Sequence, residues 1–163
     1  MTSDRPPDAE ELLEFDRYRQ QGLEILGASA SDTPKYLVQA IDEFVTDWQD
    51  PRRGFRSLLK PRVDPTETAR ALAVVWGDQI VRHFEWQWIC HVLPDEERYA
   101  VAAPNRALVI YAPHFINDCF EDPQKDCTAM LAFNMQEEGQ FTGVQPNGYV
   151  DVMSGVFRVV PRR

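Results

Sequence analysis

The stretch that decides the fold is TETARALAVVWGDQIVRHFEWQWICHVLPDEERYAVAAPNRALVIYAP, residues 66–113. Its first part places apolar side chains three and four positions apart, which is the spacing of one face of a helix. From Trp86 onward the period changes to two, as it does in a strand. Turn residues around Pro94 and Pro104 divide this part into three strands, and connections so short require antiparallel neighbours. The stretch therefore predicts a helix packed on an antiparallel meander.

Local start signals place three helices ahead of this sheet. The dipeptides Thr33-Pro34 and Asp64-Pro65 each offer a capping side chain followed by a proline at the first helical position. Glu67 adds to the second dipeptide an aspartate variant of the capping box. The first helix is predicted over 9–26, because acids crowd its opening turns and Gly27 supplies a stop signal.

Gly77 lies in the middle of the third predicted helix, directly after Trp76. A glycine there costs about 1 kcal/mol relative to alanine, so we expect it to permit the close approach of another element, the sheet. We also expect Trp76, Trp86 and Trp88 to be largely buried. Core packing is the preferred interpretation of the local aromatic side chains, and a ligand cavity lined by the same rings is the alternative. This aromatic set is Trp76, Phe84, Trp86, Trp88 and Tyr99.

Further elements follow the sheet. One short helix is predicted from Pro113 through Phe120, and another from 126 to 138. Residues 149–153 and 156–160 are predicted to form a terminal hairpin around Ser154-Gly155. The predicted class is α+β, with N-terminal helices packed on an antiparallel β-meander, further helices and a C-terminal hairpin.

The chain of 163 residues fits one core, so we predict a single domain over 1–163, helical at about 8–85 and sheet-containing at about 86–163. Its apolar runs are far shorter than the roughly 20 residues of a membrane-spanning helix. The first residues show neither the basic nor the apolar region of an export signal, so the expected location is the cytoplasm. A net charge of −9 disfavours nucleic acid and favours a basic protein partner.

The candidate metal-binding and catalytic groups lack the usual spacing. Cys90, His91, His114 and Cys119 are the best set for zinc, but neighbours in a strand point to opposite faces and no short ligand pair is present. We expect buried cysteines and a half-exposed histidine instead. A cysteine nucleophile would need a histidine base on a common face, which His114 and Cys119 do not share. The sequence predicts no enzyme, no metal site and no cofactor.

Residues 52–62 differ from their surroundings because they carry five cationic side chains and no acid. One interpretation is an exposed connector that pairs with acids of the first helix. The other is a contact to a phosphate or an acidic ligand, although no glycine-rich phosphate cradle accompanies the segment. Together with the aromatic cavity, the second interpretation makes an enzyme or a small-ligand-binding protein the alternative function.

Residues 66–117 combine a helix with a Leu-Gly-type core, a Trp-x-Trp strand starting at Trp86, and a strand that ends at Pro113 before a helix. This pattern resembles a family of small bacterial proteins of unknown function, from which Trp76 before the helix glycine departs. The family has no agreed catalytic residues, so the resemblance implies no site. In size, acidity and architecture the chain also resembles immunity proteins of bacterial toxin systems.

The predicted function is a protein-binding module, specifically an immunity protein that neutralises a bacterial toxin by direct binding. Such a protein needs a stable scaffold and a complementary surface. Acidic side chains are the expected contacts to a basic partner. The candidate partner-binding residues are Glu10, Glu11 and Glu14 in the first helix, and Asp118, Glu121 and Asp122 further along the chain.

Overall fold

The computed structural model describes residues 3–50 and 64–159, so the basic segment 52–62 lies outside the described residues. Helices and a mostly antiparallel sheet form the predicted α+β architecture. The helices are α1 (Ala9–Leu26), α2 (Pro34–Gln49), α3 (Pro65–Phe84), α4 (Ala112–Glu121) and α5 (Ala129–Glu137). The strands are β1 (Ser3–Arg5), β2 (Gln87–Val92), β3 (Glu97–Ala102), β4 (Leu108–Ile110) and β5 (Val150–Asp151). Within these ranges no helix is long and apolar enough to cross a membrane.

The strands of the sheet follow the order β1-β2-β3-β4-β5. The antiparallel pairing of β2 with β3 and of β3 with β4 confirms the meander. The sequence interpretation missed β1, which pairs antiparallel with the outer edge of β2. The expected C-terminal hairpin takes another form, because β5 pairs in parallel with β4 and a 3₁₀ helix, Val152–Gly155, follows it. The Asp151 side chain accepts the Met153 N–H at 3.0 Å, which starts this helical turn where the hairpin was expected.

The helix start signals act as predicted, except that the capping box forms at α1 and not at α3. α1 has the predicted bounds, and Thr33 and Asp64 cap α2 and α3. A reciprocal capping box forms at α1, between Asp8 and Glu11. Glu67 of α3 instead accepts a hydrogen bond of 3.1 Å from the Tyr18 hydroxyl of α1. Glu11 of α1 therefore serves its own helix end, whereas Glu67 of α3 makes a contact to another helix.

Helix α5 begins at Ala129, three residues later than predicted. Thr128 precedes it but makes no capping bond with its own side chain. The buried Asp42 of α2 accepts the Met130 N–H at 3.1 Å and so caps α5 from another helix. The start of α5 is thus set by a tertiary contact.

Helix α3 is the centre of the fold, because α1, α2 and α4 all pack against it. Trp76 and Trp86 are buried, and Trp88 is partly buried. The expectation for Gly77 is confirmed, since a Cβ added there would stand 2.1 Å from the nearest ring atom of Trp88. Because Gly77 has no side chain, Trp88 of the sheet can approach the backbone of α3 closely.

The opposite face of the sheet carries a second apolar layer of buried side chains. The rings of Tyr111 and Tyr149 pack against this layer. Its members are Ile89, Ala100, Ala102 and Val109. Both faces of the sheet are therefore covered, one by helices and the other in part by the Tyr111 and Tyr149 rings.

Candidate functional site

The outward side of α1 is the first candidate surface. This helix buries Phe15, Tyr18 and Gly22. On other sides it exposes Leu12 by 49 % and Leu13 by 70 %. Single exposed leucines are common on protein surfaces, but two adjacent ones between acidic side chains form an amphipathic patch suited to a protein contact.

An open depression of about 530 Å³ lies along the N-terminal half of α1. Four carboxylates and one guanidinium contribute to its lining, so its charge favours a cation. The lining residues are Asp8, Glu10, Glu11, Leu13, Glu14 and Arg17. We call the exposed acids and leucines of this part of α1, namely Glu10, Leu12, Leu13 and Glu14, the α1 face; the exposed Arg17 borders it.

Glu11 makes its contacts with other groups of the protein. Its carboxylate accepts two hydrogen bonds from Arg5, at 2.8 and 2.9 Å, and one of 2.7 Å from the Tyr99 hydroxyl. It also accepts the Asp8 N–H at 2.7 Å. The bonds from Arg5 are the main reason that the pKa of Glu11 falls to about 2. Glu11 thus joins β1, α1 and β3, and its charge is largely matched within the fold.

Glu10 and Glu14 are exposed. Glu14 lies 3.7 Å from Arg17, which is a loose surface ion pair. Among the described residues, no ion pair engages the Glu10 carboxylate. These two acids of the predicted set therefore retain charge that a partner can meet.

The second predicted acidic set lies at the C-terminal end of α4 and just beyond it. Asp118 forms an ion pair with Lys125, and Glu121 accepts a hydrogen bond of 2.9 Å from Asn117. Asp122 accepts the Gln124 N–H at 2.9 Å. The two acidic sets lie on different helices that both pack on α3. The α4 set serves local structure, so the α1 face is the better candidate.

The aromatic set packs as core. Phe15 contacts the rings of Trp88 and Tyr99 at centroid distances of 4.9 and 5.2 Å, and Phe84 contacts Phe133 at 5.1 Å. The Trp88 Nε1–H donates to Asp78 at 2.9 Å. The aromatic rings therefore pack against other side chains of the protein, as the preferred interpretation of the sequence predicts.

The four residues that were the best candidates for zinc do not form one ligand group. In the described ranges, no group of three or more histidine, cysteine, aspartate or glutamate side chains is placed to hold a metal ion. The Cys90 thiol donates to Glu97 at 3.2 Å, and burial raises its pKa to about 11. Cys90 and Cys119 are buried as expected, and Cys127 is buried as well.

The two histidines of this set differ, because the His114 side chain is 56 % exposed and His91 is only 2 % exposed. It stacks on Tyr149 with a centroid distance of 4.4 Å and on Tyr111 with one of 5.9 Å. Nδ1 lies 2.7 Å from the Tyr111 hydroxyl oxygen. The alternation along β2 placed His91 beside Ile89, but no local signal shows that distant tyrosines cover this face.

Comparisons of the chain with protein-family models, with curated proteins and with solved structures found no match. The functional argument therefore depends on the described residues themselves.

Proposed function

We propose that this protein is a protein-binding module that holds a basic partner protein against the α1 face. The observation that carries the proposal is the 70 % exposure of Leu13 beside the unmatched acid Glu10 and the weakly paired Glu14. An apolar centre with a charged rim is the usual anatomy of a protein interface.

The two parts of the α1 face have different roles in binding. Burial of a leucine side chain stabilises a complex by about 1.5–3 kcal/mol, so Leu13 is the expected anchor. Glu10 and Glu14 contribute mainly to the rate of encounter, because attraction between opposite charges acts before contact. The net charge of −9 extends this attraction over the whole molecule.

Within this proposal, the class of partner is a bacterial toxin and the protein is its immunity protein, acting in the cytoplasm. Support comes from the small, acidic α+β scaffold and from the surface contact that it offers. Neutralisation by direct binding needs a complementary surface on a stable fold and no chemistry.

The test is capture of a partner with the full chain, followed by association and dissociation kinetics at low and physiological salt. We expect Glu10→Lys and Glu14→Lys, each made singly, to slow association at low salt and to flatten its salt dependence. Leu13→Ser should speed dissociation, because it removes the anchor.

Glu24→Lys is the matched control, because Glu24 is an exposed acid near the other end of the same helix. Its effect on association should be smaller than that of either reversal in the α1 face. A captured partner that dissociates from Leu13→Ser as slowly as from the wild type contradicts the proposal. Association that is equally fast at both salt concentrations also contradicts it.

A further inference from the structure

His91 lies at a junction of distant parts of the chain. In the register of the sheet it stands opposite Asp4 of β1 on one side and opposite Arg98 of β3 on the other. The rings of Tyr111 and Tyr149 stack on it with interplanar angles of 12° and 16°. Side chains from near both ends of the described chain therefore meet around one imidazole.

The surroundings of His91 suit a neutral ring. Nδ1 bonds with the Tyr111 hydroxyl, while Nε2 is buried without a hydrogen-bond partner in the described residues. An imidazolium carries N–H groups on both nitrogens, so it would hold one charged donor without an acceptor. Burial lowers the pKa of His91, and the opposing effect of the Asp4 charge is the smaller one.

The charged groups around the ring do not compensate for a proton. Asp4 is the nearby anion, but it already accepts the Tyr149 hydroxyl at 2.6 Å and the Arg106 guanidinium at 3.0 Å. Arg98 occupies the cross-strand position and carries the same charge as an imidazolium. The pKa of each stacked tyrosine is raised, so both stay neutral. Asp151 of β5 is a further anion, whose charge acts on Tyr111 and whose own pKa is raised by burial.

The part of the fold on the Asp4 side has few contacts that hold it in place. β1 has three residues and lies at the edge of the sheet. Its last residue, Arg5, is fixed to Glu11 and Glu97, so the part able to move is Ser3 and Asp4. Arg106 lies in the turn between β3 and β4, and Tyr149 directly precedes β5, so both side chains that bind Asp4 come from connecting segments. Tyr111, in contrast, is fixed between β4 and α4.

We propose that His91 is a proton-operated latch, in which proton uptake by its ring releases Ser3 and Asp4 of β1 and the Tyr149 ring from the sheet. Release lets water reach the imidazolium and frees the part of the β2 edge that Ser3 and Asp4 cover. The latch acts within the fold and does not depend on the proposed binding of a toxin.

The test is hydrogen–deuterium exchange of the full chain between about pH 7.5 and about pH 5, corrected for intrinsic exchange. Peptides covering β1 and the facing half of β2 should lose protection as the pH falls. The opening constant should rise by at most about tenfold per pH unit, because one proton is taken up. Peptides from α3 should keep their protection, since the latch opens locally.

His91→Phe keeps an aromatic ring without a titrating group, and His91→Gln provides a second variant in case the first does not fold. Either variant should remove the pH response of β1. His114→Gln is the control, because it removes a histidine with an exposed side chain and should leave the response unchanged. The proposal is overturned if β1 shows no pH response in the wild type, if both His91 variants retain it, or if α3 opens by the same factor as β1.

Discussion

Gly77→Ala tests the contact between α3 and the sheet. In an exposed helix this change would stabilise the protein by about 1 kcal/mol. Here the new Cβ would stand 2.1 and 2.4 Å from two atoms of the Trp88 ring. The ring must therefore move by more than an ångström to reach an ordinary van der Waals separation.

Trp88 has little freedom to make this movement. Its Nε1–H donates to Asp78 at 2.9 Å, and its ring lies 4.9 Å from that of Phe15. Overpacking of a core costs about 1–3 kcal/mol, and loss of the hydrogen bond adds about 1 kcal/mol. After subtraction of the gain in helix propensity, we expect Gly77→Ala to lower the free energy of unfolding by about 1–3 kcal/mol.

Urea denaturation followed by circular dichroism measures this change without relying on the fluorescence of Trp88. A matched control is the same substitution in a Trp88→Leu background, where the smaller side chain leaves space for the Cβ. There, Gly77→Ala should be neutral or stabilising. The reasoning is refuted if Gly77→Ala stabilises the otherwise wild-type protein, or if its effect is the same in both backgrounds.

Two further substitutions test the core and the Glu11 contacts. Trp76→Ala should lower the free energy of unfolding by about 3–5 kcal/mol, because the ring is fully buried. Trp76→Phe, which keeps an aromatic ring, should lower it by less. A near-wild-type urea midpoint for the alanine variant would contradict this prediction. Glu11→Gln should destabilise the protein at neutral pH, and the difference should fade as the pH falls from the usual pKa of 4.5 towards the folded-state value of about 2. Thermal unfolding of wild type and variant at both ends of this range measures the effect, and an equal difference throughout would rule out the charge as its cause.

The sequence by itself determined the elements whose signals are local. The Thr33-Pro34 and Asp64-Pro65 dipeptides and the Gly27 stop act on backbone groups within one helical turn, and the structure uses all three. The period-two pattern and short turns likewise specified the meander, and Gly77 signalled a close approach. For the candidate site, composition located acids on the first helix but did not show which of them were free.

The tertiary structure decided everything that depends on contacts between distant residues. Glu11 accepts a hydrogen bond from Tyr99, 88 positions away, and Asp4 accepts one from Tyr149 across 145 positions. Asp42 sets the start of α5 from a separation of 88. Contacts at such separations leave no periodic trace in the chain, because their partners are brought together by the packing of whole elements. For the same reason the exposure of Leu13 and the burial of His91 became visible only in the folded protein.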